Sequence, residues 1–195
     1  MSLVTYKGTE FNYLNPTKEM IDIDDILRSL PRLNRFVGHS SRAYSVGEHT
    51  FMCLVMAQLL NYSTREQLLV FLHDFTEAYV NDCPAPLKKL IPEFSVIEER
   101  VEKAIYEYVG IEPPTEEEYV KIKRIDLSML VIEMRDLTVH EWENFINEHT
   151  YAEVLDDEAL KLDTEHPIGE NLLKELLFEC YEGLLKKFKE ESANE

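Results

Sequence analysis

Four segments of this chain begin with Ser or Thr followed three residues later by Glu or Gln. Each precedes a run in which apolar residues return every three or four positions. The four are Ser45-x-x-Glu48, Thr64-x-x-Gln67, Ser95-x-x-Glu98 and Thr115-x-x-Glu118. In such a box the hydroxyl accepts from a first-turn amide, and the longer side chain reaches back to the amide of the capping residue. Groups that a helix start would otherwise leave unpaired are thereby satisfied. The first box opens a helix through Met56 and Leu60. The second opens one carrying Leu68, Leu69, Phe71 and Leu72 that ends before Pro84-Ala-Pro86. The third carries Val101, Ile105 and Val109 and stops at Gly110. The fourth and longest runs to about Leu137 with Ile122, Ile125, Met129 and Ile132 on its apolar stripe. A last amphipathic helix holds Leu172, Leu173, Leu176, Leu177, Cys180, Leu184 and Phe188, apolar enough to be core or a dimer face, so a homodimer is an expected partner state. Only Leu3 to Tyr13 reads as extended, and Asn147 to Pro167 reads as a polar, acidic connection. The expectation is an all-α helical bundle in one domain spanning residues 1–195.

Charge narrows the partners. With 38 acidic against 20 basic residues the formal net charge is −18. Nucleic-acid polymers and anionic membranes carry the same sign and are not expected to bind. A small anion held in a local positive pocket remains compatible. The three cysteines, Cys53, Cys83 and Cys180, are far apart and form no CxxC pair, which suits a reduced cytosolic chain. No basic segment followed by an apolar run opens the sequence, and no apolar stretch approaches the roughly 20 residues of a membrane span. The chain is expected to be soluble and cytoplasmic.

Chemistry concentrates around His73-Asp74, read as lying late in the second helix. The dipeptide alone is a weak signal, and a single buried histidine is more often a hydrogen-bonded core residue. Here His49 lies near the start of the preceding helix, and Asp126 sits in the middle of the long one among Ile125, Leu127 and Leu130. Two imidazoles with two carboxylates suit a divalent cation such as Mn²⁺, Co²⁺, Fe²⁺, Zn²⁺ or Mg²⁺. Glu77 follows one helical turn after the pair, and Asp82 closes that segment. A carboxylate beside an activated water can accept its proton or protonate a leaving oxygen. The bland readings are a surface carboxylate for Glu77 and a turn cap before Pro84 for Asp82.

His49, then His73-Asp74, then Asp126 resembles the H…HD…D order of the HD-domain metal-dependent phosphohydrolases. The stretch HDFTEAYVNDCPAPLKKL resembles the bacterial 5′-deoxynucleotidase branch, and LNRFVGHSSRAYSVGEH resembles the portion before the first ligand in that branch and in small phage-type HD proteins. The likeness covers roughly residues 23–137, leaving about 138–195 as a helical extension. It implies metal ligation by His49, His73, Asp74 and Asp126, and acid/base roles for Glu77 and Asp82. It also implies substrate contact by Arg35, followed here by Phe36 where the branch often has Trp. Independently of the family, hydrolysing a phosphate ester requires positive groups around the phosphoryl oxygens. Arg35, Arg42, Lys88 and Lys89 cluster near the ligands in sequence and are the candidates, with terminal charge compensation as the plainer role of the lysines. Tyr44 and Phe36 could be core or base-stacking surface, and His39 a supporting or substrate residue. His140, His149 and His166 read as surface or local structural groups. The expected function is a nucleotide phosphohydrolase, foremost a 5′-deoxynucleotidase acting on deoxynucleoside 5′-monophosphates. A deoxynucleoside triphosphate triphosphohydrolase and a non-catalytic nucleotide-binding regulatory protein are the alternatives. An alarmone hydrolase fits less well, because Thr76-Glu77-Ala78 replaces the Glu-Asp pair that follows HD in that branch.

Overall fold

The computed structural model describes residues 2–139 and 161–194. It opens with a short antiparallel hairpin, β1 (Leu3–Val4) and β2 (Glu10–Phe11), which pairs Leu3 with Phe11. Helices follow: α1 (Ile23–Ser29), α2 (Val46–Leu59), α3 (Thr64–Leu72), α4 (Glu77–Val80), α5 (Ala85–Lys88), α6 (Pro92–Val109), α7 (Glu116–Leu137) and α8 (Glu170–Ser192). The all-α expectation holds. His140, His149, most of the Asn147–Pro167 connection and Glu195 lie outside the described residues. No described helix is long and apolar enough to cross a membrane.

The helix starts show which local signal won. Ser45 and Thr115 form reciprocal capping boxes with Glu48 and Glu118, as their spacing requires. The second box is shifted by one residue: Ser63 caps α3 and Glu66 returns to it. Gln67 instead donates to the Tyr62 carbonyl at 2.6 Å. The Ser95 box is not used. Pro92, with φ already set for a first turn and no N–H to leave unpaired, starts α6 four residues earlier. Gly110 ends α6 in a left-handed conformation, φ 76°. At 23 residues α8 is one longer than the 22-residue α7, correcting the expectation that α7 is longest.

A second correction bears on chemistry. The helix begun at Thr64 does not continue to Pro84. It stops at Leu72, and Phe75 N and Glu77 N donate to the carbonyls of Leu72 and Asp74 at 3.0 Å each, the tight i→i+3 spacing of a helix being wound shut. The chain then makes one turn as α4 and leaves it through Asn81 at φ 70°. His73 and Asp74 therefore sit on a bend between two helices.

The core runs the length of the described chain. Ile26 and Leu27 of α1, Leu54 and Met56 of α2, Leu68 and Phe71 of α3 and Ile125 and Met129 of α7 are fully buried. Leu173, Leu177, Tyr181 and Leu184 of α8 join the same cluster, packed on α3 and α2. Leu172, expected on the apolar stripe, is 56% exposed instead. The last helix thus builds the core rather than extending it.

Helix α2 lies hard against the turn Leu30–Arg32 that precedes it. A Cβ added at Gly47 would stand 2.9 Å from the Pro31 nitrogen, with backbone on that side and no flexible side chain to yield. Gly47→Ala should destabilise the fold by about 1–3 kcal/mol through this overlap. A lowered urea midpoint at unchanged slope is the expected result.

Candidate metal centre

His49 enters one turn into α2, held by the Ser45–Glu48 box, and its side chain is fully buried. Its Nδ1 lies 2.5 Å from Glu133 Oε1, so the ring donates there and turns Nε2 the other way. His73, capping α3, directs Nδ1 at the Val70 carbonyl 2.7 Å away, which likewise turns its Nε2 outward. The two Nε2 atoms meet at 3.3 Å. Asp74 Oδ2 lies 3.2 Å from His73 Nε2 and 3.4 Å from His49 Nε2, and Asp126 Oδ1 is 3.4 Å from His49 Nε2. The bend after α3 and the middle of α7 thereby bring both carboxylates to His49 Nε2.

Such an arrangement is unfavourable without positive charge. Two nitrogens oriented as acceptors and two carboxylates crowd into one volume, and Asp74 Oδ2 is buried with no hydrogen-bond donor. Donors about 2.1 Å from one cation stand roughly 3.0–3.4 Å apart at tetrahedral or octahedral angles, which is the spacing found. The residues fit a divalent cation. Cys53 joins from one turn along α2, its Sγ 3.4 Å from His49 Nε2, and His49, Cys53 and His73 offer ligand atoms within 4.8 Å of one another. Burial pushes the Cys53 thiol up to about 11, so it is the least ready of these donors to ionise.

The electrostatics of these groups point to the same demand for charge. Burial and the Arg35 guanidinium disfavour a protonated His49, yet Cys53 together with the carboxylates of Glu133 and Asp126 outweighs them and holds its pKa well above the ordinary value. Burial would raise Asp74, but His73 and His49 pull it down; Asp126 is likewise lowered against its burial by His49 and Lys123.

Behind the ligands lies a layer that sequence reasoning missed. Glu133 is fully buried two helical turns beyond Asp126, binding His49 on one side and Arg35 on the other, with Arg35 Nη2 at 3.0 Å. A charged residue inside Val131-Ile132-Glu133-Met134 was the available signal. Arg35 reaches this place because residues 33–35 run beside 44–46: Arg35 N donates to the Tyr44 carbonyl and Val46 N to that of Leu33. Its guanidinium also lies 3.7 Å from Asp74. Phe36, at φ 56°, packs 5.8 Å beneath that guanidinium.

The remaining expected residues divide. A cleft of about 460 Å³ opens beside the centre, lined by His73, Asp74, Glu77, Lys88, Lys123 and the acidic side chains Glu98, Glu99 and Glu102 of α6. Glu77 is nine-tenths buried with Oε2 unpartnered, and burial together with Asp74 and Asp82 holds its carboxyl well above the usual range. Asp82 is raised too, mainly by burial. Lys88 reaches the cleft but is paired with Glu98 at 2.7 Å, whereas Lys89 is exposed. Arg42 is drawn away: it donates to the Thr164 carbonyl at 2.6 Å, to Ala43 O and to Glu48, tying the segment before α8 to the start of α2. Tyr44 is core, and His39 and His166 are exposed.

The uncharacterized protein YfdR of Escherichia coli (strain K12) is 40% identical to this chain over 133 residues, which cover 68% of the chain and 70% of YfdR. The chain belongs to the family of YfdR. A comparison with protein-family models gives no match.

Two outcomes follow for the centre. Because a cation must displace the proton on His49, metal affinity should weaken steadily as pH falls below neutrality and strengthen as it rises, measured by calorimetry in two buffers of different ionisation enthalpy. Glu133→Gln, which removes the anchor of the His49 ring, should weaken metal affinity about 10- to 100-fold with the fold retained.

Proposed function

We propose that this chain is an HD-type, metal-dependent phosphohydrolase, acting foremost on deoxynucleoside 5′-monophosphates and releasing inorganic phosphate. The observation that carries this reading is the meeting of His49 Nε2, His73 Nε2, Asp74 Oδ2 and Asp126 Oδ1 at coordination spacing on the edge of a cleft. His49, His73, Asp74 and Asp126 would hold the cation. When bound, a divalent cation supplies Lewis acidity toward a phosphoryl oxygen and lowers the pKa of water toward about 7.

The protein's own groups do the rest. Glu77 lines the cleft with its buried Oε2 free of partners, and its carboxyl binds a proton more tightly than an ordinary glutamate. Such a group can take a proton from the attacking water and return one to the leaving 5′-oxygen. Arg35 holds Asp74 and Glu133 in place and so orients both a ligand and the support of another. The cleft volume suits a nucleotide-sized ligand.

Charge favours a monophosphate over a triphosphate. Beyond the ligands the wall carries Glu98, Glu99 and Glu102, and Lys88 is already neutralised by Glu98. Three linked phosphates would lie against carboxylates, at a repulsive cost that a single phosphate at the metal avoids.

Metal analysis of the purified protein, followed by a panel of deoxynucleoside mono- and triphosphates with Mn²⁺ or Co²⁺, tests the reading. Phosphate release from monophosphates, lost in Asp74→Ala together with the metal, is expected. Release of intact triphosphate would overturn the substrate class, and tight nucleotide binding without turnover under any metal would overturn the enzyme. Glu77→Gln should keep its metal and lose about 100-fold or more of turnover in single-turnover assays.

A further inference from the structure

We propose that Lys123 is the phosphate anchor of the cleft, a role that rests on the phosphohydrolase reading above. Lys123 lies three residues before Asp126 on α7, so both side chains leave the same face of the helix. Its Nζ is 2.9 Å from Asp126 Oδ2, the oxygen opposite the one that approaches His49. One carboxylate therefore separates the ammonium from the point where the four donor atoms meet, and a phosphoryl group bound at that point has a second oxygen within its reach. The same side chain lines the cleft with His73, Asp74 and Glu77 and is 42% exposed.

The other cations near the centre are tied elsewhere, and among the described residues only Lys123 pairs with one of the two donor carboxylates from the cleft side. Arg35 is 12% exposed and shared between Glu133 and Asp74, and Lys88 is bound by Glu98. With a cation on Asp126, the Lys123 ammonium would share that carboxylate and be free to reach a phosphate held beside it. As a flexible point charge it suits a tetrahedral anion that changes shape during displacement.

Lys123→Met and Lys123→Arg, loaded with Mn²⁺, test this with inorganic phosphate as the probe, bound in calorimetry and competing with substrate in kinetics. Lys123→Met should retain its equivalent of metal while phosphate affinity falls about tenfold or more and KM rises in parallel. Lys123→Arg should restore most of both. Unchanged phosphate affinity in metal-loaded Lys123→Met overturns the proposal, as does loss of metal with phosphate affinity intact after reloading, which assigns Lys123 to orienting Asp126 alone. A wild type that hydrolyses no phosphate ester yet binds phosphate through Lys123 overturns the enzymatic reading and leaves the anchor standing. A wild type that does not bind phosphate at all overturns the anchor.

Discussion

Everything at this centre depends on four electron-rich atoms being forced together at the largely buried edge of a cleft. Without a proton or a cation among them, two imidazole nitrogens and two carboxylate oxygens at this spacing repel one another. The fold opposes that repulsion with a buried glutamate that clamps one ring, a backbone carbonyl that clamps the other, and an arginine that braces two carboxylates at once. Removing one partner of such a buried pair strands a charge away from solvent and costs several kcal/mol. Functional constellations are often places where a fold tolerates what it would avoid elsewhere.

The architecture serves this purpose through its interruptions. A continuous helix from Thr64 to Pro84 would carry His73, Asp74 and Glu77 on one rigid rod. The bend after Leu72 instead turns the histidine and aspartate toward His49 and sets Glu77 at the head of a separate short helix. The same bend places Glu77 on the wall of the cleft, next to the ligands yet free of the pairings that bind them.

Much of this was legible in the chain. Reciprocal capping at Ser45 and Thr115 is local chemistry, settled by residues three apart, and the helical periodicities that follow them describe what is buried. The readings failed where a stronger neighbour competed: Ser63 over Thr64, and Pro92 over Ser95. The bend after Leu72 carries no Gly or Pro to announce it. The four ligand candidates could be named because type and order constrain them tightly, but Glu133 and Lys123 could not. Their meaning comes from partners brought near by folding, and in sequence one is a charge in an apolar run and the other a lysine among charged neighbours. Arg42 shows the converse, since its nearness in sequence to His49 suggested substrate and its geometry gives it to the backbone of Thr164.

That last contact has a reach beyond its own hydrogen bonds. Arg42 and the Ile168 amide both converge on Glu48, the residue beside His49 that closes the cap of α2, so chain from beyond residue 160 is stitched into the base of the centre. A fragment cut after α7 would lose that stitching along with the apolar cover of α3. The smallest unit that can hold this centre is therefore larger than the stretch bearing its four donors, and the distal helix is a keystone for a site it never touches.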